Sequence, residues 1–302
     1  MTELLPLIDA HHHFWDLGAN RYPWLQDDPP IEFRYGDYTG IRRNYLPADF
    51  RRDTANQNLV ASVHMEAEFD PADPVAETRW VHEIAEAHGF PHAVVGQAWF
   101  ARDDIADVLA GHAAFPLVRG VRQKPAAGAS PADVEPGAPG SMGDPKFRAG
   151  YALMAMHGFT YDLQTPWWHL PEAAELARDF PGTTIVLDHT GLPSDRSEEG
   201  LAGWLQALQE FAAEPNTAIK ISGLGVKGRP WTVGDNRHVV LAAIRVFGAG
   251  RCMFASNFPV DGVVADYDTI MNGFREIVAD LPEEDQRKLF RDNAARYYRI
   301  EL

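Results

Sequence analysis

Near the start of the chain, Ile8-Asp9-Ala10-His11-His12-His13-Phe14-Trp15-Asp16 sets three imidazoles between an apolar run and two aromatic rings. Leu4, Leu5, Leu7 and Ile8 read as a buried strand. Strand side chains alternate faces with period two. His11 and His13 therefore share one face, and His12 and Phe14 take the other. Two imidazoles at one strand end can grip a metal ion or a substrate anion. Imidazole nitrogen suits zinc and similar ions, and its proton is easily moved near neutral pH. The bland alternative is a chance cluster. An added tag is disfavoured, because the triplet is embedded in structured sequence.

Other apolar runs also end in polar side chains. His64-Met65-Glu66-Ala67-Glu68, Arg119-Gly120-Val121-Arg122-Gln123, Tyr161-Asp162-Leu163-Gln164, Asp188-His189, Lys220 with Ser222, and Ser256-Asn257-Phe258-Pro259-Val260-Asp261 all fit that description. Glu66 and Glu68 share a strand face; one is a candidate ligand or general base and the other a solvated surface charge. Arg119 and Arg122, three apart, face opposite ways. Arg122, nearer the strand end, is the candidate for gripping a substrate carboxylate through two parallel bonds. Lys220 lies in an apolar run and needs a partner if buried. It is either a structural ion pair or a substrate contact. His189 follows an apolar strand and lies two residues before Gly191, which favours a site role. Asp188 beside it reads as holding a neighbour. His88, His112 and His157 fall on helical patterns and read as surface residues.

Stepping to the elements, eight short runs form candidate strands: Leu4–Ala10, Leu59–Glu66, His92–Trp99, Leu117–Arg122, Phe159–Leu163, Thr184–Asp188, Ala218–Ser222 and Cys252–Ala255. Most are continuously apolar, as parallel strands buried on both faces are. Helical stripes fall between them, over Pro74–His88, Gly200–Ala213 (Ser197 as N-cap) and Asp266–Leu281. The alternation predicts α/β structure as one (β/α)8 TIM barrel over residues 1–302, with active-site side chains at the strand C-termini. A doubly wound open sheet is the alternative, but no glycine-rich phosphate loop opens any helix. Residues 14–52 and 124–146 interrupt the rhythm and are expected over the barrel mouth. The first is rich in aromatics, Trp15, Tyr22 and Trp24 among them, which line a pocket or pack a small core of their own. The second reads as a mobile lid or a disordered loop.

Composition narrows the function. The chain has 302 residues, 45% hydrophobic, with 27 basic and 43 acidic side chains and a net charge of −16. That balance disfavours nucleic acid and anionic membranes as main partners. A small-molecule substrate is expected, and a homo-oligomer stays open. The single cysteine, Cys252, allows no intrachain disulfide and reads as core packing. No apolar run approaches a membrane span and no signal pattern opens the chain, so a cytoplasmic protein is the default expectation.

Taken in order, the His-x-His strand, Gly120-Val-Arg-Gln, Phe159-Thr-Tyr-Asp-Leu-Gln, Val186-Leu-Asp-His-Thr-Gly-Leu-Pro, Ile219-Lys-Ile-Ser-Gly-Leu, Met253-Phe-Ala-Ser-Asn-Phe-Pro-Val-Asp and Asn293-Ala-Ala-Arg-Tyr-Tyr resemble the amidohydrolase superfamily. The likeness spans about residues 7 to 300 and is nearest the lactonase-like branch, with its fucono-, rhamnono- and pyrone-dicarboxylate lactone hydrolases. The resemblance implies a distorted barrel. It implies one divalent metal, usually zinc though absent in some members, on His11, His13 and His189. It further implies arginines on substrate carboxylates and an Asp at the end of strand eight acting as base.

Here that Asp is Asn257, and an amide accepts no proton at neutral pH. Its oxygen can still bind a metal weakly or orient a water. Asp261 and Glu66 are then the candidate catalytic bases, with Asn257 in an orienting role. Arg122, Trp15, Gln164 and Lys220 are the candidate substrate contacts. Metal-assisted opening of a lactone of a sugar acid or an aromatic-degradation intermediate is the leading expectation. A metal-dependent decarboxylase and a non-hydrolytic subunit are the alternatives that Asn257 leaves open.

Overall fold

The computed structural model describes residues 4–302. Eight parallel strands, β1 (Leu7–His12), β2 (Leu59–Met65), β3 (Ala93–Gln97), β4 (Val118–Gln123), β5 (Thr160–Leu163), β6 (Ile185–Leu187), β7 (Thr217–Ile221) and β8 (Cys252–Phe254), pair in sequence order. All eight predicted strands are present, each shifted by one to three residues at an end. The largest shift is in β1, which starts at Leu7 and runs on to His12. The barrel is nearly closed. Between β1 and the chain after β8, the Asn257 amide donates to the His11 carbonyl at 2.8 Å, and the His13 amide to Phe258 at 2.8 Å. Asp9 reinforces this seam by accepting from Ser256 N at 2.9 Å and Ser256 Oγ at 2.6 Å.

Alternate strand residues fill the interior. Ile8, Val63, Val95, Val186 and Met253 form one apolar cluster, plugged from below by Tyr298 and Ile300. The other strand face packs on the helices. Helices stand where apolar residues recur at helical spacing. Glu198–Ala212 is capped by Ser197, whose Oγ accepts from Gly200 N at 3.0 Å. Ala76–His88 ends at Gly89, whose φ of +78° suits glycine. Tyr267–Ile277, capped by Asp266, is shorter than the stripe predicts.

His112 is buried rather than on the surface. Its Nε2 bonds the Gln97 carbonyl at 2.8 Å and its Nδ1 bonds Thr78 Oγ1 at 2.9 Å. Gly96 makes room for it, since a Cβ there would stand 2.4 Å from the ring. Residues 124–146 are tied down rather than loose. Glu172 accepts from Gly143 N and Ser141 Oγ, and the Gly128 amide donates to His169 Nε2 at 2.9 Å. Among the described residues, no helix is long and apolar enough to cross a membrane.

Candidate active site

The strand alternation places His11 and His13 together at the β1 terminus, with ring centroids 4.9 Å apart. His12 turns away and stacks on Phe50 at 4.2 Å. His13 Nδ1 stands 2.8 Å from the Met65 carbonyl, which accepts only if Nδ1 carries the proton. His11 Nδ1 faces the buried Asp188 carboxylate at 3.4 Å, which favours the same tautomer. Both Nε2 atoms are then bare, yet they face each other at 3.2 Å. Asn257 adds a third acceptor, its Oδ1 lying 3.3 Å from His13 Nε2. Its amide nitrogen is held by Asp261 Oδ1 at 2.6 Å, which fixes the oxygen toward His13.

Acceptors this close with no proton between them repel, His13 Nε2 against both His11 Nε2 and Asn257 Oδ1. A cation removes that repulsion. Two ligands about 2.1 Å from a tetrahedral zinc ion lie about 3.4 Å apart, close to the spacing observed here. Burial, reinforced by neighbouring positive charge, pushes the His11 and His13 pKa values well below the usual imidazole value, so both are neutral donors. The residues fit a single divalent metal. The backbone carbonyl behind His13 and the carboxylate behind His11 are the outer partners that orient metal-binding imidazoles. Among the described residues, no three His, Cys, Asp or Glu side chains close a cage by themselves. The third donor at ligand spacing is the Asn257 amide.

His189 stands beside this set, its ring centroid 4.7 Å from that of His11. Its Nδ1 is 3.0 Å from Ser222 Oγ. Burial, then the Arg34 charge, lowers its pKa well below the usual value. His189 and Asn257 both adopt left-handed backbone, with φ of +53° and +57°. Such strain costs about 1–3 kcal/mol per residue and gathers at functional sites. Gly223 clears the space, because a Cβ there would stand 2.6 Å from that of His189.

Above these residues is a cavity of about 210 Å³, lined by His13, His189, Asn257, Gln164, Arg122 and Arg34 among others. The remaining predicted residues are placed differently. Glu66 is buried in an ion pair with Arg122 Nε, and its carbonyl takes Arg122 Nη2. It lines a neighbouring chamber rather than this cavity. Arg122 Nη1 reaches Gln164 Oε1 at 3.4 Å, so most of its donors are occupied. Asp261 lies behind Asn257, holding it, and also accepts from Tyr35 Oη at 2.9 Å. Burial raises its pKa. Lys220 is fully buried beneath the site, 2.6 Å from Asp162 and 3.3 Å from Asp188. Trp15 is also buried and donates to the Arg43 carbonyl at 2.6 Å. Of the aromatic insertion, Trp24 and Phe33 reach the cavity.

Arg34, which carries no pattern in the sequence, is the cavity's least satisfied cation. Its Nη2 is 3.6 Å from Asp261, its Nη1 is buried without a partner, and its guanidinium lies 4.6 Å above the Tyr35 ring. Glu77 was also missed. It accepts from Ala67 N at 3.0 Å, stands against His64 at 3.6 Å, and has its pKa raised well above the usual carboxyl range by burial, then by the neighbouring Glu66. Its position four before Val81 and seven before Ile84, on one helix face, was the available signal.

A model of the amidohydrolase family matches residues 8–300. The chain belongs to the amidohydrolase family. It is 43% identical to the uncharacterized protein y4mH of Sinorhizobium fredii over 98% of this chain and 99% of that one. It is 30% identical to an L-fucono-1,5-lactonase of Burkholderia multivorans, covering 97% of this chain and 96% of that protein. Among solved structures, an amidohydrolase from Burkholderia multivorans with bound zinc superposes with a TM-score of 0.77 at 27% identity, over 98% of this chain and 99% of that chain. That structure shares the barrel, and members of the family are typically metal-dependent.

Proposed function

We propose that this amidohydrolase opens a lactone, the cyclic ester of a small hydroxy acid, using one divalent metal of the zinc class. The observation that carries the proposal is the approach of His11 Nε2 and Asn257 Oδ1 to His13 Nε2, at 3.2 and 3.3 Å, with the outer partners of both imidazoles favouring protonation on Nδ1. The lactonase relative and the zinc in the related structure support it.

His11, His13 and Asn257 would hold the ion. When bound, such an ion lowers the pKa of a coordinated water and polarises an ester carbonyl. The chain's own residues do the rest. Arg34, with its unpartnered Nη1, binds and orients negative charge on the substrate or on the acid released. Gln164, which accepts from Arg122 through Oε1, offers its amide nitrogen to ring hydroxyls in the same cavity. With Nδ1–H donated to Ser222, His189 keeps a bare Nε2 facing the cavity. It takes the proton of the attacking water and returns it to the alkoxide leaving group. Asp261 and Glu66 act at one remove, the first by orienting Asn257 and the second by fixing Arg122.

The test is acid release at constant pH from a panel of sugar-acid and aromatic lactones, with metal content measured on the same samples. His11→Ala and His13→Ala should lose metal and activity together. His189→Ala should keep its metal and lose activity. Metal loss in that variant would make His189 a ligand instead. A metal-loaded enzyme that opens no lactone but releases carbon dioxide from aryl carboxylates would replace this reading with the decarboxylase one.

A further inference from the structure

Beside the inner cavity lies a larger chamber of about 500 Å³, between the ends of β2 to β4 and the 14–52 segment. The two spaces share Trp24, Ile31, Glu68 and Lys124. Glu68 and Lys124 form an ion pair whose side chains are 40% and 41% exposed. An exposed pair contributes little stability, so this boundary opens at small cost.

The chamber's walls are left unfinished by the fold. Trp99 is half-buried, packs outside the apolar core, and has no aromatic ring against it among the described residues. Trp24, by contrast, is fixed by stacking on Phe33 and Tyr38 and by donating to the Ala67 carbonyl at 2.8 Å. Ile31 at the rim is 52% exposed. Apolar side chains held open around a concavity are the usual mark of a ligand site. A second observation is independent of these. Gln97 is only 3% exposed, and its Nε2 is committed to the Phe69 carbonyl at 3.2 Å. That fixes Oε1 as an acceptor, and Oε1 is buried with no partner. A buried acceptor left unpaired is costly, and a donor from a ligand recovers that cost.

We infer that this chamber is a second substrate subsite, for a flat apolar ring carrying a hydroxyl or other hydrogen-bond donor, attached to the ester held in the inner cavity. The ring packs on Trp99 and Trp24, and its donor meets Gln97 Oε1. The inference rests on the lactonase reading for the ester end only.

Two measurements test it. The first is binding of 3-(4-hydroxyphenyl)propionate and 3-phenylpropionate by calorimetry to the wild type, Trp99→Ala and Gln97→Met. The hydroxylated probe should bind about tenfold more tightly to the wild type. Trp99→Ala should weaken both probes at least tenfold, and Gln97→Met should abolish the difference between them. The second is the ratio of kcat/KM for a 4-hydroxyphenyl-substituted lactone over the unsubstituted ring, which Trp99→Ala should lower at least tenfold through KM. Probe binding that ignores both substitutions overturns the subsite, whatever the enzyme hydrolyses. Trp99-dependent probe binding in a protein that opens no lactone keeps the subsite and removes the hydrolase reading instead.

Discussion

Arg34 and Arg122 line the same cavity but do different work. Arg122 neutralises Glu66 in a fully buried pair, so Arg122→Ala strands a carboxylate beside the second buried acid, Glu77. Breaking such a pair from one side costs about 3–5 kcal/mol. Arg34 has no such duty. Arg34→Ala should leave the urea midpoint within a few tenths molar of the wild type and raise KM for an anionic lactone about tenfold or more. A large stability loss in Arg34→Ala, with KM unmoved, would exchange the two roles. Asn257→Asp tests the position that departs from the family. The new carboxylate would sit where the amide nitrogen now lies 2.6 Å from Asp261 Oδ1, and two carboxylates that close share a proton whose pKa is raised. The pH–rate profile should gain an ionisation, with activity rising as that proton leaves. A superimposable profile would put residue 257 outside the proton path. The His-x-His was legible because strand period alone fixes which imidazoles converge. Arg34 was not, since it sits in a segment without periodicity, placed only by tertiary contacts.

Whole elements were easier to read than their joints. Continuous apolar runs such as Ala93-Val94-Val95 suit buried parallel strands, and β3 lies inside its predicted run, starting one residue later and ending two earlier. The misreading of His112 came from treating a polar side chain on a helix as solvated. In the barrel it spans the helix–strand interface, and the missing Cβ at Gly96 was the sequence signal for it. That joint predicts a pH effect. Burial lowers the His112 pKa below 6.5. The native state therefore binds fewer protons than the unfolded chain once pH falls below about 6.5, and stability drops in that direction by up to about 1.4 kcal/mol per pH unit. His112→Gln should be less stable than wild type at pH 7.5 but lose less on moving to pH 5.5, by urea unfolding at both. Equal losses would mean that His112 is not the group responsible. At another joint, Cys252 is buried on β8 with its thiol pushed well above the usual range. It should stay unreactive to aromatic disulfide reagents until the protein unfolds.

Across the molecule, one chain of polar contacts runs up the barrel axis. Tyr298 Oη donates to Asp162 at 2.5 Å, Asp162 pairs with Lys220, Lys220 meets Asp188, and Asp188 faces His11. Lys220 also lies 5.0 Å over the Tyr298 ring. Tyr298→Phe should keep the ring and lose the donor, lowering stability by about 1–2 kcal/mol. Its effect on the midpoint should be smaller than that of Lys220→Met, which leaves two buried carboxylates without their cation. Equal losses would show that the packing of the ring, not the charge, carries the column. Only fragments of this column were legible in advance: Lys220 as a buried charge in need of a partner, and Asp188 as holding a neighbour. Which partners they take was not, because Asp162, Asp188, Lys220 and Tyr298 lie far apart in sequence and meet only through the barrel.

The same column bears on how the protein can be divided. A (β/α)8 barrel invites splitting into two four-strand halves, and the long connection between Gln123 and Thr160 is the natural place to cut. Such a cut leaves His11 and His13 on one fragment and Asp188, Lys220, Asn257 and Tyr298 on the other. The charged axis of Tyr298, Asp162, Lys220 and Asp188 stays whole on the second fragment, but its contact with His11 crosses the cut, so neither fragment alone can set the His11 tautomer that bares its Nε2. Contacts of this sequence separation form late and cooperatively. Metal affinity should accordingly appear only when the two pieces reassociate, as a report on the closed ring rather than on either half.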